Sequence, residues 1–103
     1  MPNPLPAALV ALAALGGAAS AQADQALAAS RNCMACHAID RKLVGPAFKA
    51  VAARYAGQDA AGALAAKIVK GGSGAWGPVP MPANPQVSPA EAKLLATWVL
   101  GLK

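Results

Sequence analysis

The chain has 103 residues, a length that predicts one domain and leaves little room for a second hydrophobic core. Apolar residues make up 56% of the chain, but much of that share is alanine, whose side chain has little surface to bury. Because burial stabilises a fold by about 25 cal/mol per Å² of apolar surface, a core of these side chains alone would contribute little stability. The formal net charge is +5, and the basic residues are spread out without interleaved aromatics, which speaks against nucleic-acid binding. Chains of this size often need a disulfide, a metal or a cofactor to be stable.

The first 23 residues are predicted to be a secretory signal peptide. Residues 7–19 form a short apolar run, and Ala21 and Ala23 match the small-residue pattern of signal peptidase, which places cleavage before Asp24. The run is shorter than the ~20 residues that a membrane span needs, so no stable membrane insertion is expected. The alternative is a buried alanine-rich helix. The predicted mature domain is residues 24–103, and it is exported.

Three short helices are predicted in the first part of the mature domain. The first covers residues 24–31 and leads into a cysteine-containing segment. The second begins at Pro46, a residue type suited to a first helical turn. The third has Asp59 as its expected N-cap and ends at Gly71.

The fourth helix carries the strongest signals. Ser88 and Glu91 form a capping-box pattern, and Pro89 occupies the first helical position. An apolar face follows at helical spacing, and no part of the chain shows sustained strand alternation. The sequence therefore predicts an all-α domain.

Residues 71–87 are rich in glycine and proline, which excludes a regular helix or strand. The segment also contains Trp76, Val79 and Met81, which are unusual in a polar linker. We expect a stiff loop that presents a specific side chain inward, because long loops in compact domains are usually functional. A disordered connector is the alternative.

Both cysteines and the only histidine lie within the stretch CMACH, as Cys33, Cys36 and His37. C-x-x-C-H is the attachment signature of c-type haem, in which the two thiols bind the porphyrin covalently and the histidine ligates the iron. A structural zinc site would need four ligands, and the mature chain has only three residues of the usual soft types. A thioredoxin-like dithiol would need a βαβ unit, and the sequence shows no strand pattern. A plain Cys33–Cys36 disulfide would leave His37 without a role.

The sixth iron ligand is predicted by elimination. The chain has no second histidine, Met1 leaves with the signal peptide, and Met34 lies on the same short segment as His37. Met81 remains, between prolines that restrict its backbone. Its alternative role is simple packing within the loop. Paired His/Met ligation is associated with electron transfer rather than oxygen chemistry.

The sequence resembles the small class I cytochromes c of the bacterial c551/c8 type over the whole mature chain. The matching stretches are CMACHAIDRKLVGPAFKAVAARYAGQ, GGSGAWGPVPMPAN and LATWVLGLK. The resemblance implies a small cytochrome c fold, with about four short helices wrapped around one covalently bound haem c. It also implies that Cys33 and Cys36 form the thioethers, and that His37 and Met81 are the axial ligands.

The resemblance further assigns four residues around the haem. The Pro46 carbonyl would accept a hydrogen bond from His37, and Asn84 would donate one to the ligand sulfur. Trp76 would donate to a haem propionate. Lys67 stands where a relative carries a propionate-side arginine, and lysine keeps the charge without the forked geometry.

The function implied is that of a diffusible periplasmic one-electron carrier, monomeric and not an enzyme. Its partners would be redox proteins such as a cytochrome bc1-type donor and a terminal reductase or oxidase acceptor. The alternatives are a haem subunit of a dehydrogenase complex, or a haem enzyme or gas sensor with a labile Met81 bond. Around the haem edge the resemblance places an apolar group inside a basic ring, namely Leu43, Val44, Pro78, Val79 and Pro80 within Arg41, Lys42, Lys49 and Lys67.

Overall fold

The computed structural model describes residues 24–103 and is all-α, as predicted. Its four helices are α1 (Gln25–Ser30), α2 (Phe48–Arg54), α3 (Ala61–Lys70) and α4 (Pro89–Leu100), with one 3₁₀ turn at Cys33–Ala35. The described part of the chain contains no β-strand, only an isolated antiparallel bridge between Gly72 and Met81. Within it, no helix is long and apolar enough to cross a membrane. The predicted signal peptide lies outside the described residues.

Two helices begin at residues whose side chains cap them. The Asp24 carboxylate accepts a hydrogen bond from the Leu27 amide at 2.9 Å and caps α1. The capping box of α4 is complete: Ser88 Oγ accepts from the Glu91 amide, and Glu91 Oε1 accepts from the Ser88 amide, both at 3.1 Å. Pro89 occupies the first position of α4, as predicted.

The other two helices begin later than predicted. The N-cap of α3 is Ala60, and Asp59 makes no capping hydrogen bond, so the prediction of Asp59 as the cap is wrong. Ala60 is buried and its carbonyl accepts from Leu64, which starts the helix one residue inward and leaves Asp59 in solvent. Pro46 precedes the first residue of α2 by two positions, because the backbone of Ala47 (φ −57°, ψ 139°) is not helical and makes this residue the N-cap.

The core consists of two adjoining apolar clusters that α4 connects. The first is built from Ala28, Val87, Ala92 and Leu95, and the second from Phe48, Val51 and Val99, while Cys33, Met34 and Trp98 contact both. Seven of the twelve buried apolar residues are alanine, and none of the larger side chains is completely enclosed. The core is therefore thin, as the composition predicts, and the protein needs a further source of stability.

An ion pair between Arg31 and Glu91 joins the end of α1 to the start of α4. Arg31 follows α1 and donates to the Glu91 carboxylate in the first turn of α4, with Nε to Oε2 at 3.1 Å. These bonds and the Ser88 amide lower the pKa of Glu91 to about 2. The same carboxylate thus caps α4 and ties it to the segment that leads into Cys33.

Candidate functional site

A cavity of about 490 Å³ opens between α2, α3 and the 71–82 segment. Its volume falls in the range of ~300–1,000 Å³ that is usual for sites of small molecules and cofactors. Cys36, His37, Lys67, Trp76 and Met81 all line it, in a wall that is otherwise mostly apolar. The structure therefore brings most of the predicted site residues together around one space.

The cysteine segment is shaped by a tight helical turn. Asn32, the residue before the 3₁₀ turn, has a left-handed backbone (φ 69°), a conformation that asparagine tolerates better than most residues. The amides of Cys36 and His37 both donate to the Cys33 carbonyl, at 3.2 and 3.1 Å. Residues three apart in such a turn are neighbours on one side, which suits attachment of both thiols to one edge of a planar group. Both thiols are free.

Cys33 and Cys36 differ in their surroundings. Cys33 packs against both core clusters, and this burial raises the pKa of its thiol. Cys36 instead lines the cavity. The turn thus anchors one end in the core and presents the other end to the cavity.

The His37 ring is fixed on several sides. Its Nδ1 lies 2.8 Å from the Pro46 carbonyl oxygen, which can only accept, so Nδ1 must carry the proton. That tautomer leaves Nε2 with a free lone pair, the state in which imidazole binds a metal. Phe48 stacks on the ring with centroids 4.7 Å apart. A Cβ at position 45 would lie only 2.5 Å from Cε1 of the ring, so the close approach of the His37 ring to the backbone requires glycine there.

Met81 is held through its backbone. Its amide donates to the Gly72 carbonyl at 2.7 Å, and its carbonyl accepts from the Gly72 amide at 3.0 Å. Gly71, at the end of α3, has φ +75°, and a Cβ there would lie 2.6 Å from the Met81 carbonyl oxygen. The paired glycines therefore allow the Met81 segment to lie directly on the end of α3.

Asn84 and Lys67 lie beside this segment. The Asn84 amide nitrogen donates to the carbonyls of Ile68, at 2.9 Å, and Pro82, at 3.3 Å. Its oxygen accepts from Gln86 at 3.0 Å, and Gln86 also donates to the Arg31 carbonyl. In the structure these backbone groups, and not the Met81 sulfur, are the partners of Asn84. Lys67 is half-buried, and its Nζ lies against Gly72.

Trp76 is partly exposed and lines the cavity. Its indole Nε1 donates to no group in residues 24–103, which leaves it available to an acceptor outside the polypeptide. The face of its ring is covered by the guanidinium of Arg54, 4.5 Å from the ring centroid. Sequence reasoning missed Arg54, because nothing in the spacing relates the end of one helix to a loop 22 positions away.

Two further residues of the site were not predicted from the sequence. Phe48 fits the apolar face of a helix, and its contact with His37 depends on tertiary packing that no local periodicity shows. Gln86 links the segment after Met81 to the segment before Cys33 through a side chain that carries no motif.

The donor set fits a covalently held haem. The free thiol of Cys36, the His37 imidazole with its free Nε2 and the Met81 thioether line one mostly apolar cavity, and the free thiol of Cys33 lies three residues from Cys36 in a thin all-α core. These features define the class of small c-type haem proteins.

Comparison with known proteins gives the family. The Cytochrome c family model matches residues 21–103. The chain is 55% identical to cytochrome c-552 of Nitrosomonas europaea over 94 residues, covering 90% of this chain and 91% of that protein. It is 54% identical to cytochrome c-551 of Stutzerimonas stutzeri over 101 residues, covering 92% and 96%. The chain belongs to the cytochrome c family.

Solved structures agree with this assignment. A crystal structure of wild-type Nitrosomonas europaea cytochrome c552 superposes with a TM-score of 0.74 at 54% identity, over 78% of this chain and all of that one. The class 1 cytochrome MtoD of Sideroxydans lithotrophicus superposes with a TM-score of 0.59 at 31% identity, over 76% and 90%. Family membership and the C-x-x-C-H arrangement of Cys33 and Cys36 together show that the protein carries one covalently bound haem c.

Proposed function

We propose that this protein is a periplasmic one-electron carrier, with Cys33 and Cys36 as the thioether anchors and His37 and Met81 as the axial ligands of a low-spin haem. Residues 1–23 are its signal peptide, removed on export. The observation that carries the proposal is that the two ligand residues line one cavity and are both held by backbone groups: the His37 ring by the Pro46 carbonyl and the Met81 backbone by the Gly72 bridge.

Fixed ligands suit electron transfer for a physical reason. When bound, haem c supplies an iron centre that changes its charge by one electron. Any movement of the protein that accompanies this change raises the barrier to transfer. The Pro46 carbonyl keeps the His37 ring in one orientation, with Nε2 as the nitrogen that is free to bind iron. The Gly72 bridge keeps the Met81 backbone from drifting, so the thioether needs little further ordering to bind iron.

The same observations argue against the alternatives with a labile ligand. A gas sensor or peroxide-using enzyme needs an axial position that opens easily, and Met81 is held by two backbone hydrogen bonds between stiff prolines. The protein's only histidine is already committed to the proximal position, so no distal histidine exists to assist oxygen chemistry. We therefore propose a carrier that is not itself an enzyme.

Three residues act around the haem in this proposal. The Trp76 indole N–H makes no hydrogen bond within residues 24–103, and it donates to a haem propionate. Lys67 contributes a positive charge at the cavity wall. Asn84 orders the segment after Met81 through its hydrogen bonds to the Ile68 and Pro82 carbonyls, and it is proposed to donate to the Met81 sulfur when haem is bound.

The partner surface is proposed to be an apolar docking face made of Val44, Pro78, Val79 and Pro80. All four line the cavity mouth, and Val44 and Val79 are 58% and 60% exposed. Arg41, Lys42 and Lys67 lie along the same mouth, whereas Lys49 and the exposed Leu43 do not line it. An apolar centre excludes water, and a basic rim raises the rate of encounter with an acidic redox partner.

Stopped-flow electron transfer to an acidic redox protein tests the docking face. Val79→Glu should slow transfer about tenfold or more, because it places a charge in the apolar centre and repels the partner. Lys93→Glu, a change on the exposed side of α4, should slow it much less. The wild-type rate should fall as salt approaches ~0.15 M, where charges are screened beyond ~8 Å.

One control completes this experiment, and one outcome would contradict the proposed face. Oxidation by a small cobalt complex should be nearly equal in all three proteins, which separates docking from a change in potential. A rate that is indifferent to salt, with both variants equally impaired, would show that docking occurs elsewhere on the surface.

A further inference from the structure

The 73–80 loop, the segment between the paired residues Gly72 and Met81, has few internal supports. Its internal hydrogen bond joins the Gly74 amide to the Gly77 carbonyl at 3.2 Å. Both of these glycines have positive φ angles, 88° and 115°, and no atom lies within 4 Å of a Cβ built on either. The tip of the loop therefore stands away from the rest of the described chain.

Arg54, the last residue of α2, reaches this loop in two ways. Its guanidinium lies 4.5 Å from the centroid of the Trp76 ring. Its Nη1 donates a hydrogen bond to the Ala75 carbonyl. Within residues 24–103, this is the hydrogen bond that joins the 73–80 loop to another part of the chain, apart from the Gly72–Met81 pair at its base.

We propose that Arg54 is a positioning residue that holds the 73–80 loop, with Trp76, against the haem cavity. The loop forms one wall of that cavity, and it also carries the exposed Val79. Its position therefore decides how much water reaches the haem and how the docking face is presented. Arg54 controls this position from outside the cavity, without lining it.

The chemistry of the contact requires arginine. A planar guanidinium can stack on an indole face and donate to a carbonyl at the same time, whereas a lysine ammonium offers a point charge and cannot stack. α2 is a suitable base for the contact, because its first residue, Phe48, is fixed against His37. A single short helix thus links the proximal histidine to the loop.

Hydrogen exchange of backbone amides, measured by NMR on the reduced holoprotein, tests the proposal. Arg54→Gln should raise the exchange rate of the Gly74 amide about tenfold, the effect of losing one charge-assisted contact. The amides of α4 should exchange as in the wild type. In Arg54→Lys, the exchange rate of the Gly74 amide should lie between those of the wild type and Arg54→Gln, because lysine keeps the charge but cannot stack. Lys93→Gln, which also removes one positive charge, is the matched control and should change neither region.

A second readout follows the consequence for the haem. Opening of the loop admits water, which favours the more highly charged oxidised state, so the Arg54→Gln variant should have a lower reduction potential than Lys93→Gln. An unchanged Gly74 amide would overturn the proposal. Equal acceleration in α4 would overturn it too, because Arg54 would then act on global stability alone. The exchange readout does not depend on which residue ligates the iron, so its failure is distinguishable from failure of the Met81 assignment.

Discussion

His37 shows how much of the site is decided by single atoms. Its sequence motif predicts that it is a ligand, but the carbonyl of Pro46 selects its tautomer and Gly45 leaves room for its ring. The ring is thereby confined between a glycine without a side chain and the stacked Phe48. The residues that orient a ligand are thus as specific as the ligand itself.

Gly45→Ala should weaken the site through this crowding. The new Cβ would lie 2.5 Å from the His37 ring, so the ring or the backbone must move. We expect a loss of about 1–3 kcal/mol in the free energy of unfolding of the holoprotein, the usual cost of overpacking. Guanidinium unfolding of the holoprotein measures this change.

Gly62→Ala is the matched control, because Gly62 lies within α3 and has no neighbours within 4 Å of a built Cβ. It should raise the free energy of unfolding by about 0.5–1 kcal/mol, since alanine favours a helix over glycine. If both substitutions proved equally stabilising, the packing of His37 against Gly45 would be refuted.

At the scale of the elements, local signals predict the helices whose ends are made by local hydrogen bonds. The capping box of α4 is of this kind and is confirmed, and the structure adds the Asp24 cap of α1, which the sequence analysis did not name. The start of α3 is different: burial of Ala60 sets it, and burial depends on the whole fold. The Gly72–Met81 bridge could not be predicted either, because it pairs two segments of a loop that shows no strand pattern.

The first turn of α4 also predicts an acid response. Hydrogen bonds from Arg31 and the Ser88 amide lower the pKa of Glu91 from 4.5 to about 2 in the folded protein. Because the folded state favours the ionised carboxylate, its stabilisation is complete above pH 4.5 and is lost as the pH falls towards about 2. Glu91→Gln should therefore lower stability at neutral pH and flatten its decline over that interval, as thermal unfolding at several pH values would show.

Asp59→Asn is the control for this prediction, because Asp59 is exposed and caps nothing. It removes the same charge and should leave the decline of the wild type in place. Identical pH profiles for the wild type and Glu91→Gln would mean that the Arg31–Glu91 pair does not stabilise the fold.

For the whole molecule, the thin alanine-rich core explains why the cofactor is part of the structure. Neither cluster encloses a large side chain completely, and Cys33 and Met34 pack against both of them. The sequence was sufficient to predict the all-α fold class and the haem, because helix signals and the attachment motif are local. It could not predict that Arg54 and Gln86 support the loop and the Met81 segment, because these contacts join distant parts of the chain.

Replacing both attachment residues, Cys33→Ala with Cys36→Ala, should abolish covalent haem and leave a largely unfolded protein. The core alone buries too little apolar surface to offset the conformational entropy of the chain. Haem staining after a denaturing gel and circular dichroism of the purified chain measure the two effects. A double variant that keeps haem through acid-acetone extraction, or that folds as an apoprotein, would refute this account of its stability.

The identity of the sixth ligand is the central claim, and the potential of Met81→Ala tests it most directly. Met34→Leu is the matched control: it removes the other methionine of the mature domain by a swap of similar volume, which cores tolerate well. We expect Met81→Ala to keep its haem, to lose the long-wavelength band of methionine-bound ferric haem, to bind CO when reduced and to have a lower potential. Met34→Leu should keep the wild-type spectrum and potential. A Met81→Ala protein with the wild-type potential and no affinity for CO would contradict the assignment of Met81 as the axial ligand.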